Sequence, residues 1–276
     1  VSAGTGVRAP GAAPAPVRTR GRRRAPDWAP GAAGCLAVLL AWALVSVTVF
    51  RTSGAVPTPW SVVAELGRSG WSFYAQNVGV TVRGAALGYL YGNVVALAVA
   101  VLVLLVPAFD GLASQLAVIS YCMPLTAIGP IVLVVFGGRT PTVFLAAISC
   151  IFTTLIGALL GLRAADPVAL DLVRGFGGGR VQQVVRVQLV AALPSLVAAL
   201  RIAAPAAMLG AVVGEYLGGV DSGLGVVLTV AQQQNDVPRT WALAVVCGLV
   251  AALAYLLLGV LGRLVTPWAR TAEERP

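Results

Sequence analysis

Apolar residues in this chain gather into runs of about twenty, the length a helix needs to cross a bilayer, with short polar stretches between them. Runs 33–50, 84–106, 113–136, 142–162, 196–217 and 241–262 each cross or nearly cross a hydrocarbon layer of about 30 Å, at about 1.5 Å per helical residue. The pattern predicts an all-α integral membrane protein with six transmembrane helices. Between the first two runs, residues 51–81 mix Pro57, Pro59, Trp60, Trp71, Phe73 and Tyr74 with glycine and polar residues. Such a mixture is expected of an exterior segment held at the interface by its aromatics. Residues 60–67 within it predict a short surface helix.

Departures from plain apolar runs mark candidate working parts. The third run carries Pro124 and Pro130, so two amides are missing from its ladder. A break of that kind survives at membrane depth where neighbouring helices or a cavity satisfy the freed carbonyls. It is either a packing kink or part of a translocation path. The connection 163–193 is the longest after the second run. Asp166-Pro167 is a helix start, and Val168, Leu172 and Phe176 follow on one face. Gly175 to Gly179 then ends that helix, and a second short amphipathic helix is expected over 180–190. Beyond the fifth run, Gly218-Gly219 and Gly223-Leu224-Gly225 bracket Asp221 and Ser222, a density that predicts a tight turn into a re-entrant helix over 224–234. Glu215 is the one acid deep in a predicted span. An unpaired charge there costs at least about 2.5 kcal/mol, so a partner is expected, Arg83 ahead of Arg201.

Composition narrows the class. The chain is 58% hydrophobic with a mean hydropathy of +0.90, above the roughly 45–50% apolar usage of soluble domains. The net charge of +9 comes from nineteen arginines and no lysine, and these gather between spans rather than along a nucleic-acid-binding stripe. Thirteen arginines fall in the amino tail, the 163–193 loop and the carboxyl tail, against five in the alternate segments. The positive-inside rule then places both termini and that loop in the cytoplasm. Residues 1–30 read as a basic disordered tail able to touch anionic lipid, and 33–50 is too long for a secretory signal core of about 7–15 residues, which favours an uncleaved anchor. Arg22-Arg23-Arg24 lacks the apolar pair of a twin-arginine signal.

Several chemistries are excluded. Without lysine there is no phosphate-binding loop of the G-x-x-x-x-G-K type. Without histidine there is no Ser-His or Cys-His catalysis. Cys35, Cys122, Cys150 and Cys247 show no metal or disulfide spacing. A paired-carboxylate enzyme is not excluded by count, but the ten acids are scattered and mostly lie in loops. No metal or cofactor of its own is expected.

The stretch Asp171-Leu172-Val173-Arg174-Gly175-Phe176-Gly177, with Val187-Gln188-Leu189 and Leu193-Pro194 after it, resembles the E-A-A-x3-G-x9-I-x-L-P loop of permease subunits of bacterial ATP-binding-cassette importers. Leu200-Arg201-Ile202, Glu215 and Gly223-Leu224-Gly225, with Thr81-Val82-Arg83 and the Pro124/Pro130 pair upstream, resemble the sulfonate, taurine and nitrate branch. The likeness covers roughly 58–265. Leu172 and Val173 replace the two alanines, and Val190 stands at the first proline.

The resemblance implies a non-enzyme subunit, a five-helix permease core plus an N-terminal helix, with a cytoplasmic coupling helix. It implies 31–57 as anchor and exterior linker, 58–265 as the permease domain and 266–276 as a cytoplasmic tail. The implied coupling residues are Asp171, Arg174, Phe176, Gly177, Val187, Leu189 and Pro194. The path or gate residues are Pro124, Pro130, Arg83, Arg201, Glu215, Gly223 and Gly225. Implied partners are separate ATPase subunits that bind the ATP, an exterior solute-binding protein, a second permease copy as a homodimer, and membrane lipid, with no nucleic acid. The implied location is a bacterial cytoplasmic membrane, and the implied cargo a small organic or inorganic anion, although members also carry thiamine-precursor-like molecules. A secondary transporter or channel driven by an ion gradient is the alternative, and it would need a chain of buried acids.

Overall fold

Five of the six apolar runs each become one helix and the third becomes two, and most of the helices outgrow the runs that announced them. The computed structural model describes residues 29–267. The tail calls over residues 1–28 and 268–276, including the basic amino-terminal arginines, lie outside that range. In chain order the helices are α1 (Ala29–Thr48), α2 (Pro59–Ser69), α3 (Trp71–Leu105), α4 (Asp110–Cys122), α5 (Leu125–Phe136), α6 (Thr140–Arg163), α7 (Pro167–Gly175), α8 (Arg180–Gln183), α9 (Leu189–Tyr216), α10 (Leu224–Gln233) and α11 (Val237–Val265). Five are long and apolar enough to span a membrane, and the bent pair α4–α5 makes a sixth if counted as one. No strand forms among the described residues.

Three boundaries correct the sequence reading. The second span starts at Trp71 rather than 84, so 71–83 is helix and not interfacial coil. The expected separate helix over 180–190 does not exist as such. α8 runs through a π-helical turn, Val184–Gln188, into α9, giving one helix over Arg180–Tyr216. Pro194 lies six residues beyond that turn's end and has no amide to offer Val190. The third run is no mere kink: α4 and α5 meet at 92°. Pro124 caps α5, whereas Pro130 is carried inside it.

The core is α6 packed between α3 and α9, and small residues let these backbones touch. A Cβ on Gly88 would lie 2.6 Å from the Val143 carbonyl oxygen, and one on Gly214 2.6 Å from Thr142 Cα. Polar bonds tie the same helices. Thr154 hydrogen-bonds Asn93, and the Tyr89 hydroxyl donates to the Leu200 carbonyl at 3.1 Å. α1 stands apart, with Ser46 its only buried residue. It is fastened near its carboxyl end, where Trp42 stacks on Trp241 at 5.6 Å and Ser46 donates to the Val56 carbonyl at 2.8 Å.

Candidate functional site

The candidate residues fall at opposite ends of the bundle, one end carrying α10 and the other α7. At the α10 end, the ten-residue helix α10 begins without a capping side chain of its own. Its first amides are orphans that need acceptors, and two other helices supply them. The Gly223 amide donates to Asn77 Oδ1 at 3.1 Å, the Leu224 amide to Thr81 Oγ1 at 2.8 Å, and the Gly225 amide to Glu215 Oε2 at 3.0 Å. Thr81 Oγ1 in turn lies 2.8 Å from Glu215 Oε2, its donor bond to the carboxylate. Thr81 and Leu224 are fully buried and Glu215 is 2% exposed. The carboxylate faces the positive end of a helix dipole, where an anion is stabilised.

Glycine is required at the centre of this clamp. Gly223 has φ +134, and a Cβ there would lie 2.5 Å from both carboxylate oxygens of Glu215. A Cβ on Gly225 would lie 2.7 Å from Glu215 Cβ. The turn leading to the clamp is held from outside by Arg139, whose guanidinium donates to Ser222 Oγ at 3.3 Å. Farther along α10, the Tyr216 hydroxyl bonds Gln232 Oε1 at 3.1 Å.

The expected partner of Glu215 is therefore corrected. Among the described residues the ion pairs are Arg68–Glu65, Arg163–Asp110 and Arg174–Asp171, and none includes Glu215. Arg83 is exposed on α3. Arg201 lies deeper, with Cζ 3.9 Å above the Tyr255 ring, and a Cβ on Gly259 would come 2.8 Å from its Nε. Neutral donors, a hydroxyl and an amide, do what a cation was expected to do. Asn77 and Thr81 were missed as site residues. The available signal was their spacing: four apart, they share a helix face.

At the other end, α7 is built as its sequence predicts. Asp166 Oδ1 accepts from the Val168 amide at 2.9 Å, and Pro167 takes the first position. Gly177, at φ +76, turns the chain away. No residue of α7 is buried. Val168, Leu172 and Phe176 are 74%, 61% and 85% exposed, while Asp171 and Arg174 pair at 3.1 Å on the same helix. Val187 falls in the π turn, Leu189 opens α9, and Pro194 lies within it. The loop motif is thus split between an exposed short helix and the base of a long one. Pro124 stands at the α4–α5 bend and Pro130 within α5, beside Gly129, which packs against Leu217 at the end of α9.

The described residues thus hold a pair of apolar helices bent by 92°, a short helix clamped to its neighbours and an exposed amphipathic helix between two long apolar ones. Residues 92–271 match the family described as binding-protein-dependent transport system inner membrane component. The chain belongs to that family. It is 29% identical over 206 residues to a probable ABC transporter permease protein of Haemophilus influenzae, covering 74% of this chain and 83% of the relative. It is 30% identical over 150 residues to the riboflavin transport system permease RibX of Chloroflexus aurantiacus, covering 54% and 56%. It is also 24% identical over 261 residues to the putative aliphatic sulfonates permease SsuC of Bacillus subtilis, covering 93% and 94%. The protein is a multi-pass permease component of an ABC transporter, as its sequence motifs implied. Nothing in these likenesses favours the ion-gradient alternative.

Proposed function

We propose that this permease forms, with a second copy, the translocation path of an importer for a small anion. Separate ATPase subunits grip α7, and an exterior solute-binding protein delivers the cargo at the α10 end. The exposed apolar edge of α7 carries this reading, because Val168, Leu172 and Phe176 are left uncovered by the chain's own packing and stand on one face. A soluble ATPase offers the apolar pocket that such an edge requires. The internal Asp171–Arg174 pair sets the charge on the flank of the helix, so the apolar edge alone needs filling. The arginine distribution supports the α7 end, and both termini, as cytoplasmic.

The long helix running from Arg180 to Tyr216 gives the mechanism its lever. A push on α7 enters it at Arg180 and reaches the α10 clamp through Glu215, so closure of the ATPases would tilt α9 and shift the far gate. Alternating access follows from that tilt, and no bond is made or broken in this chain. The full-length likeness to the sulfonates permease supports an anionic cargo. The test is substrate-stimulated ATP hydrolysis by the reconstituted complex. Phe176→Ala is expected to abolish stimulation while leaving membrane insertion unchanged. Full stimulation in that variant would sink the docking role.

A further inference from the structure

Two adjoining cavities at the α7 end differ in chemistry. One, of about 390 Å³, is almost wholly apolar and lies between α3, α6 and the π turn, with Leu97, Val101, Ala158, Val185 and Leu193 in its walls. The other, of about 290 Å³, holds Asp110, Arg163, Arg180 and Gln188, with Leu170 of α7 at its edge. Leu104 and Leu162 line both, so an apolar slot ends at a basic mouth. The mouth lies where α3 and α6 end and α8 begins, the level at which headgroups meet spanning helices. Asp110 there is engaged by Arg163, whereas Arg180 donates only to the Leu104 carbonyl, at 3.2 Å, among the described residues. The mouth therefore carries one positive charge in excess.

We infer that this paired cavity binds an anionic phospholipid, with an acyl chain in the slot between α3, α6 and the π turn and the phosphate at Arg180. The slot is open to an acyl chain, because Val101, Val185 and Leu189 on its rim are 50%, 55% and 42% exposed. Basic pockets between spanning helices select anionic headgroups. Through Leu170 the bound headgroup touches α7, so occupancy would brace the helix proposed to meet the ATPase. That consequence rests on the function proposed above; lipid retention does not.

The experiment is native mass spectrometry of the purified full chain, offered equal amounts of dioleoyl phosphatidylglycerol and dioleoyl phosphatidylcholine. The wild type should keep the phosphatidylglycerol at least about fivefold in preference, the effect of one arginine near a phosphate. Arg180→Gln should remove that preference at unchanged melting temperature. Val101→Trp, which fills the slot, should lower retention of both lipids. Arg68→Gln, a matched loss of charge at the other end, should change nothing. Equal retention of both lipids by the wild type, an undiminished preference in Arg180→Gln, or equally strong binding of free glycerol 3-phosphate would overturn the site. Failure here with normal coupling would leave the transport reading standing, and lost coupling in Phe176→Ala with normal lipid preference would do the reverse.

Discussion

The two ends of the long helix Arg180–Tyr216 solve opposite problems. At the α10 end every polar group that matters is turned inward: Asn77, Thr81 and Glu215 are at most 9% exposed, and their acceptors meet three consecutive amides. At the α7 end the helix caps itself through Asp166 and leaves its apolar side chains outside. A segment that satisfies its own backbone leaves its apolar surface free, which is what the proposed docking of α7 uses. One that borrows its caps from neighbours is made to stay with them. The contrast separates a buried polar clamp from an exposed apolar edge, and single substitutions should respect it.

The largest effect is expected at the clamp. Gly223→Ala must place a methyl against both carboxylate oxygens in a backbone conformation that alanine avoids. It should cost several kcal/mol, read as loss of folded protein in detergent-solubilised membranes. Normal yield and melting temperature would show that α10 is not clamped as described. Phe176→Ala should show the reverse profile, with normal melting and lost stimulation of ATP hydrolysis, because its side chain contributes almost nothing to the chain's own packing.

Thr81→Val comes next. It keeps the shape but leaves the Leu224 amide without its acceptor and Glu215 with the Gly225 amide as its remaining donor, for about 1–3 kcal/mol. Glu215→Gln should be milder, since the amide oxygen can still accept from Gly225. The double variant should lose less than the two losses added, since the residues touch; strict additivity in melting temperature would dissolve the coupling. The smallest effect is expected for Arg83→Gln, within about 0.5 kcal/mol of wild type. A drop equal to that of Glu215→Gln would restore the ion pair expected from the sequence alone.

What could be read from the sequence follows the same division. α7 was legible down to its cap and its exposed triad because its chemistry is local. The short helix α10 was legible from the glycines that frame it. The start of α3 was not. Asn77 and Thr81 looked like residues of a wet interfacial segment, whereas they are polar because they cap a helix more than 140 residues away in the chain. The partner of Glu215 was misread for a related reason: charge suggests charge, while burial at a helix start allows neutral donors to serve. The join of α8 to α9 was hidden by the π turn, which inserts a residue into the helical repeat and breaks the apolar periodicity that would have joined the two. The bend at Pro124 was marked, but its 92° angle depends on what α4 and α5 pack against.

The borrowed caps also set an order of assembly. α10 has ten residues, about 15 Å of helix, too short to cross the bilayer or to persist alone. Its first amides find acceptors only after α3 and α9 have come together, one presenting Asn77 and Thr81 and the other Glu215. The ribosome delivers α3 first, α9 later and α10 immediately after it, so both acceptors already exist when the short helix emerges. Docking of α10 should therefore wait on the meeting of two distant spans, the step that gives its first amides their acceptors, before α11 packs against it.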